Sequence, residues 1–136
     1  MRAVLDPNVI ISGLLSPSGN AAWLLQAWEH GEFELVVSAG LIEELERALA
    51  YPKLRRRVPE NEAHEVLQWL TQSSTIAPDP GAPPSIRSSD PGDDYLIALA
   101  ASAHAMLVSG DNDLLELAAA IPVVSPARFR ELLSGG

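Results

Sequence analysis

The 136-residue chain is 47% apolar, which is enough for a buried core, and we predict one domain over residues 1–136. It contains no cysteine, which excludes a disulfide framework and a thiolate metal site. The formal net charge of −9 argues against a protein that grips nucleic acid by bulk electrostatic attraction. Because the sequence shows no signal-like leader and no apolar run of about 18 residues, we expect a cytoplasmic protein without membrane contact.

The first half of the chain alternates short apolar segments with helical patterns. Asn20 is a predicted helix cap, Gly31 a helix stop, Ser38 a second cap, and Pro52 a helix breaker. In chain order the predicted elements are a strand over 2–5, a short helix or turn over 8–15, a helix over 21–30, a strand over 33–38, a helix over 39–50, a helix over 60–73 and a strand over 74–77.

The second half begins with a proline-rich loop over residues 78–92. The next segment is apolar on nearly all sides, which is typical of a buried helix. The predicted elements are a helix over 93–105, a strand over 106–109, a helix over 113–120, a strand over 122–125 and a helix over 126–133. Strands that alternate with helices predict a three-layer α/β domain with a largely parallel sheet, in which the site lies outside the carboxyl ends of the strands.

Four acidic residues from four separate segments are predicted to meet at that edge of the sheet. Asp6 directly follows the first strand, and Asp111 lies two residues beyond the strand that ends at Ser109. At about 100° per residue, Glu44 lies at the border of the apolar face of its helix. Asp94 opens the buried helix, and the chain has only one lysine to neutralise these charges.

Each of these acids also has a purely structural interpretation. Asp6 before Pro7 has the pattern of an N-cap with proline at the first helical position. Asp111 has the pattern of a cap for the helix that contains Leu114, and Glu44 alone is typical of a surface residue. In the segment SDPGDD (89–94), Asp90 with Pro91 and Asp93 form a cap and a first-turn charge, which leaves Asp94 without a structural explanation.

Carboxylates that converge in this way repel one another unless a cation binds between them. Oxygen ligands alone select a hard cation, Mg²⁺ or Mn²⁺, rather than zinc. Such sites hold substrate phosphates and activate water for in-line attack. The pattern therefore predicts a metal site bound by Asp6, Asp94 and Asp111.

Four motifs in order resemble those of PIN-domain nucleases, and most of all the VapC-like toxins of toxin–antitoxin systems. The motifs are LDPNVIISGLL (5–15), VSAGLIEELERALAYPKL (37–54), SDPGDDYLIALAASAHAMLVSGDNDLL (89–115) and PVVSPARF (122–129). The resemblance implies a parallel sheet of order 3-2-1-4-5 and Mg²⁺- or Mn²⁺-dependent cleavage of single-stranded RNA. It also implies an antitoxin partner and a homodimer.

By this resemblance, the catalytic quartet is Asp6, Glu44, Asp94 and Asp111, with supporting positions at Asn8, Asp93, Ser109 and Asp113. The chain departs from many relatives at Pro7, where they carry a serine or threonine, but this changes no metal ligand. Two alternatives stay open: a PIN module without catalytic activity, and an aspartyl phosphotransfer or receiver-like domain. The second normally needs a lysine late in the chain, and none follows Lys53.

The basic segment KLRRR is a candidate contact for the RNA backbone. Its cationic residues are Lys53, Arg55, Arg56 and Arg57, and a solvated helix face explains them equally well. If it does not bind RNA, the next basic candidates are Arg87, Arg128 and Arg130. The tryptophans Trp23, Trp28 and Trp69 are predicted core or dimer contacts, with base stacking as an alternative, and the three histidines lack a zinc-ligand spacing.

Overall fold

A five-stranded parallel sheet forms the centre of the protein. In the computed structural model, which describes residues 1–135, the strand order is β3-β2-β1-β4-β5 and all four pairings are parallel. The strands are β1 (Arg2–Leu5), β2 (Glu34–Val37), β3 (Thr75–Ile76), β4 (Met106–Val108) and β5 (Val123–Val124). The predicted order 3-2-1-4-5 is confirmed. Receiver domains have the order 2-1-3-4-5, so this alternative is wrong.

Helices flank the sheet and complete the predicted three-layer α/β/α fold. They are α1 (Pro7–Leu15), α2 (Asn20–Glu29), α3 (Ala39–Leu49), α4 (Pro52–Arg55), α5 (Glu60–Ser73), α6 (Asp94–Ser102), α7 (Asn112–Leu115) and α8 (Pro126–Leu133). A short 3₁₀ turn over Pro91–Asp93 leads into α6. Helix α1 packs on α2 and α3, and α2 packs on α8.

The contact between α1 and α2 depends on a glycine. A Cβ atom at Gly13 would lie 2.6 Å from the side chain of Leu25 and 3.2 Å from the backbone of Ala21. Real Cβ atoms do not approach neighbours so closely, so only glycine lets the two helices pack at this distance. This packing matters for function because Ala21 of α2 lines the same surface cavity as Asp6, the residue that precedes α1.

The core is apolar on both faces of the sheet, as parallel sheets require. The apolar residues of β1 and β2 are buried, as are Leu107 and Val108 of β4, and so is the stretch from Leu96 to Ala100 of α6, as predicted. Trp28 is buried and stacks on the half-buried Trp69 with 4.3 Å between ring centroids, so Trp28 is a core residue and Trp69 packs against the core. None of the helices within residues 1–135 is both long enough and apolar enough to cross a bilayer.

Three helix ends differ from the predictions. Asn20 is the first residue of α2 rather than its cap, because Gly19 takes the cap position without a side-chain hydrogen bond. Helix α6 ends at Ser102, where the left-handed residue His104 (φ 54°) turns the chain back towards β4. Helix α7 ends at Leu115 instead of Ala120. After it, the backbone forms hydrogen bonds to the third preceding residue, such as Leu117 N–H to the Leu114 carbonyl, and these tighten the chain before β5.

Candidate active site

Asp6 links the ends of two neighbouring strands. Its side chain is 5% exposed, and its Oδ1 accepts a hydrogen bond from the Asn8 backbone N–H at 3.0 Å. Its Oδ2 accepts from the buried hydroxyl of Ser109 at 2.8 Å, and the same hydroxyl oxygen accepts from the Asp111 N–H at 3.0 Å. Asp6 is therefore an N-cap, as its structural interpretation predicts, and also the centre of a network that joins β1 to the loop after β4.

Asp93 and Asp111 lie against each other at the same edge. Asp111 caps α7 through a hydrogen bond from the Asp113 N–H to its Oδ1 at 2.9 Å. The Oδ2 atom of Asp93 is buried and has no hydrogen-bond donor. Burial, a side-chain hydrogen bond with Asp111 and the charges of Asp111, Asp90 and Asp6 raise the pKa of Asp93 to about 7. In the absence of a cation, the carboxyl group of Asp93 therefore keeps its proton until the pH approaches about 7.

A second group of carboxylates shares Asp93. Among residues 1–135, Asp90, Asp93 and Asp113 each offer one oxygen that lies within 4.8 Å of the others. Asp90 is held by a hydrogen bond from the Gly92 N–H to its Oδ1 at 3.0 Å, which is the predicted cap at this turn. The donor set consists of oxygens only and contains an unpartnered buried oxygen, so it fits a hard divalent cation.

Glu44 approaches this group from α3. The residue is exposed, but its pKa is raised first by partial burial and then by the charge of Asp6, while Arg47 lowers it. The charge of Asp6 acts on Glu44 only because the two carboxylates are near each other. The structure thus places Glu44 at the rim of the acidic edge, by which we mean the edge of the sheet that carries Asp6, Asp93 and Asp111. Its position at the border of the apolar face of α3 predicts this placement.

Asp94 has a different environment from the one predicted for it. Its side chain is 13% exposed and accepts a hydrogen bond from the Ser88 N–H at 2.8 Å, with the Arg87 guanidinium 3.5 Å away. It lines a cavity of about 440 Å³ between α6 and the proline-rich loop, together with Tyr95. The sequence assigned a metal-binding role to Asp94 and a supporting role to Asp93, whereas in the structure it is Asp93 that contacts Asp111.

Residues 2–113, well over half of the chain, match the PIN domain family. The chain belongs to this family. Over 119 residues it is 26% identical to the uncharacterized protein MJ1680 of Methanocaldococcus jannaschii, a match that covers 86% of this chain and 75% of MJ1680. The recognition made from the four sequence motifs is thereby confirmed.

Solved structures show the same fold. PAE2754 from Pyrobaculum aerophilum superimposes with a TM-score of 0.67 at 19% identity, over 100% of this chain and 97% of that chain. VapBC2 from Rickettsia felis, bound to a DNA fragment from its promoter, gives a TM-score of 0.62 at 11% identity, over 92% and 98% of the two chains. FitAcB from Neisseria gonorrhoeae gives 0.57 at 21% identity, again over 92% and 98%.

Hydrogen bonds hold the proline-rich loop of this PIN domain next to the acidic edge. Both carboxylate oxygens of Asp79 accept from the Gly40 N–H, at 3.2 and 3.1 Å, which places a negative charge at the start of α3. The hydroxyls of Tyr95 and Ser38 are 3.3 Å apart, and burial raises the pKa of Tyr95 to about 12. Sequence reasoning missed Asp79 and Tyr95, because neither stands at a strand end or in a helix-cap pattern.

The basic segment of this PIN domain lies away from the acids. Arg57 donates to the Leu15 carbonyl at 3.3 Å, at the end of α1 opposite to Asp6, and α1 is about 13 Å long. Arg55 contacts Glu60 at 3.4 Å, while Lys53 and Arg56 are exposed. The structure therefore does not bring these residues to the rim of the acidic edge, and their contact with RNA stays a prediction.

A groove of about 390 Å³ gives solvent access to the acids of this PIN domain. Its lining residues are Asp6, Asn8, Val9, Ser12, Ala21, Gly110, Asp111 and Pro126. The groove therefore brings the carboxylates of Asp6 and Asp111 together with residues of α1, α2 and α8.

Proposed function

We propose that this PIN domain is a ribonuclease that cleaves single-stranded RNA with the help of Mg²⁺ or Mn²⁺. PIN domains are generally nucleases that use divalent metals. The observation that carries the proposal is the buried, unpartnered Oδ2 of Asp93, which lies against Asp111 and carries a pKa raised to about 7. A carboxylate so destabilised by its neighbours is an expected feature of a cation site.

The proposed ligands are Asp6, Asp93 and Asp111, with Glu44 at the rim and Asp90 and Asp113 on the far side of Asp93. A cation bound there would polarise a phosphate oxygen and lower the pKa of a bound water. The protein supplies orientation: Ser109 and the Asn8 N–H hold both oxygens of Asp6. In this proposal Asp93 replaces Asp94 as a ligand, and Asp94 positions the loop through Ser88 and Arg87.

The proposed biological role is that of the toxin of a toxin–antitoxin pair. Two structures with this fold, VapBC2 and FitAcB, are antitoxin–toxin assemblies, and this supports an antitoxin as partner. We further propose that the protein acts in the cytoplasm, where its RNA substrate is found, and that it forms a homodimer. The homodimer follows from the resemblance to VapC-like toxins alone.

A cleavage assay tests the enzymatic proposal. The metal-free protein is incubated with end-labelled single-stranded RNA, and Mn²⁺ or Mg²⁺ is then added. We expect cleavage that starts with the metal, stops with EDTA, and is lost in Asp111→Asn. The control Glu116→Gln removes an exposed carboxylate at the end of α7 and should leave the rate unchanged. Absence of cleavage of any single-stranded RNA would favour the alternative of a catalytically silent PIN module.

A further inference from the structure

Arg130 is one of five basic residues that form no ion pair within residues 1–135, and among these five it is the one that stacks on an aromatic ring; the other four are Arg47, Lys53, Arg56 and Arg57. Four arginines form ion pairs: Arg2 with Glu34, Arg55 with Glu60, Arg87 with Asp94, and Arg128 with Glu131. Among residues 1–135, no carboxylate oxygen lies within 4.0 Å of the Arg130 guanidinium. Its charge is therefore available to an anionic ligand.

The guanidinium of Arg130 is held in place without being neutralised. It lies over the ring of Trp23, 4.8 Å from the ring centroid, and its Nη1 donates to the Asn20 side-chain oxygen at 3.2 Å. The guanidinium group is planar and has five N–H donors, and these contacts occupy one of its faces and one of its N–H groups. The remaining donors, on a group already fixed by stacking, suit a bidentate contact to a phosphate.

Arg130 also lies beside the groove that Asp6 and Asp111 line. Ala21 lines that groove and directly follows Asn20, the hydrogen-bond partner of Arg130. Pro126 lines it from the other side, and Arg130 follows Pro126 by four residues on the same face of α8. One helical turn, about 5.4 Å, separates these two positions along the helix. Arg130 therefore adjoins two residues that line the same groove as Asp6 and Asp111.

On the basis of the ribonuclease function above, we propose that Arg130 binds a backbone phosphate of the single-stranded RNA substrate. Trp23 and Asn20 position its guanidinium beside the groove. With a net charge of −9, the protein cannot attract RNA by its overall field. An arginine that has no ion pair within residues 1–135 and is preorganised beside the groove of the acids provides local positive charge for this binding.

Two matched substitutions in α8 test this role. Arg130→Gln removes the unpaired charge, and Arg128→Gln removes a charge two residues away that is already paired with Glu131. Binding of labelled single-stranded RNA is measured by fluorescence anisotropy in an Asp111→Asn background, which prevents cleavage. We expect Arg130→Gln to raise Kd about tenfold, the effect of one charged hydrogen bond. The slope of log Kd against log salt should fall by about 0.7. Arg128→Gln should stay within about twofold.

Two further variants separate phosphate binding from a structural link between α2 and α8. Arg130→Lys keeps the charge and should keep the salt slope, while Asn20→Ala removes the hydrogen bond alone and should also keep it. In the cleavage-competent protein, Arg130→Gln should raise KM with kcat changed by less than about twofold. Thermal unfolding midpoints verify that each variant is folded.

An unchanged salt slope in folded Arg130→Gln, or equal losses in Arg130→Gln and Arg128→Gln, would overturn this inference. Both outcomes are independent of the ribonuclease proposal, because the anisotropy assay requires no cleavage. The opposite outcome is also distinguishable. If the unsubstituted protein cleaves no RNA, but Arg130→Gln weakens RNA binding and lowers its salt dependence, the phosphate site stands and the ribonuclease proposal fails.

Discussion

Replacing Asp93 by asparagine should stabilise the metal-free protein at pH 8 although it removes a proposed metal ligand. In the metal-free protein, burial and the charges of Asp111, Asp90 and Asp6 raise the pKa of Asp93 from 3.8 to about 7. Between these values the folded protein holds a proton that the unfolded chain has released. The contribution of Asp93 to stability is therefore greatest below about pH 4 and is lost as the pH rises through about 7.

The size of this effect follows from the two pKa values. The difference between about 7 and 3.8 corresponds to an upper limit of roughly 4 kcal/mol. Asp93 is only partly buried, so solvent screening reduces the expected cost of its charge to about 1–2 kcal/mol. For a chain of 136 residues, 1 kcal/mol shifts Tm by roughly 3–4 °C. The substituted asparagine side chain carries no charge, so the variant should avoid this cost at pH 8.

The assay is thermal unfolding in EDTA, followed by circular dichroism at pH 5 and pH 8. We expect Asp93→Asn to raise Tm by about 3–7 °C at pH 8 and to change it little at pH 5. Mn²⁺ should raise the Tm of the unsubstituted protein more than that of the variant, because the variant has lost a ligand. If Asp93→Asn lowers Tm equally at both pH values, the carboxylate has an ordinary structural role and the account of its raised pKa is refuted.

Three further predictions address the metal, the acids and the loop. In the unsubstituted protein, Mn²⁺ at about 100 times its Kd should add about 2.7 kcal/mol of stability in chemical denaturation, and an unchanged midpoint at millimolar Mn²⁺ would count against the site. Asp6→Asn should stay folded but lose RNA cleavage; activity within about threefold, less than 1 kcal/mol of barrier, would make Asp6 a helix cap only. Gly40→Ala should lower the free energy of unfolding by about 1 kcal/mol, because its Cβ would lie 2.7 Å from Asp79 Oδ1. Ala39→Gly, which leaves that contact intact, is the control for changes in helix propensity.

Much of the fold could be predicted because its signals are local. Each strand is a short apolar run, and each neighbouring helix has a cap, a stop or an apolar period that can be read from its own residues. Parallel pairing then requires that Asp6 and the loop after β4 meet at one edge. The hydrogen bond from the Ser109 hydroxyl to Asp6 Oδ2 shows this junction directly.

Which of Asp93 and Asp94 lies beside Asp111 could not be predicted from sequence. Successive residues of a helix point about 100° apart, so the choice depends on where the 3₁₀ turn gives way to α6. That point is fixed by tertiary contacts: Ser88 and Arg87 of the loop hold Asp94, while Asp111 faces Asp93. No local pattern encodes such contacts.

The positions of the cationic side chains relative to the acids could not be predicted from sequence either. The segment KLRRR is a candidate for RNA binding because its charges are adjacent in sequence. In the structure, however, Arg57 contacts Leu15, at the end of α1 opposite to Asp6. Arg130 lies 110 residues from its partner Asn20, and its lack of a carboxylate partner depends on the surfaces of two different helices. In this protein, the clustering of basic residues in the sequence was therefore a poor predictor of their distance from the acids.

The position of Mn²⁺ in crystals grown with the ion, located by its anomalous scattering, tests the central claim most directly. The account predicts an ion coordinated by carboxylate oxygens of Asp93 and Asp111 beside Asp6, with Asp94 still bonded to the Ser88 N–H. An ion coordinated by Asp94 while Asp93 faces away, or the absence of any ion from these carboxylates at millimolar Mn²⁺, would contradict it.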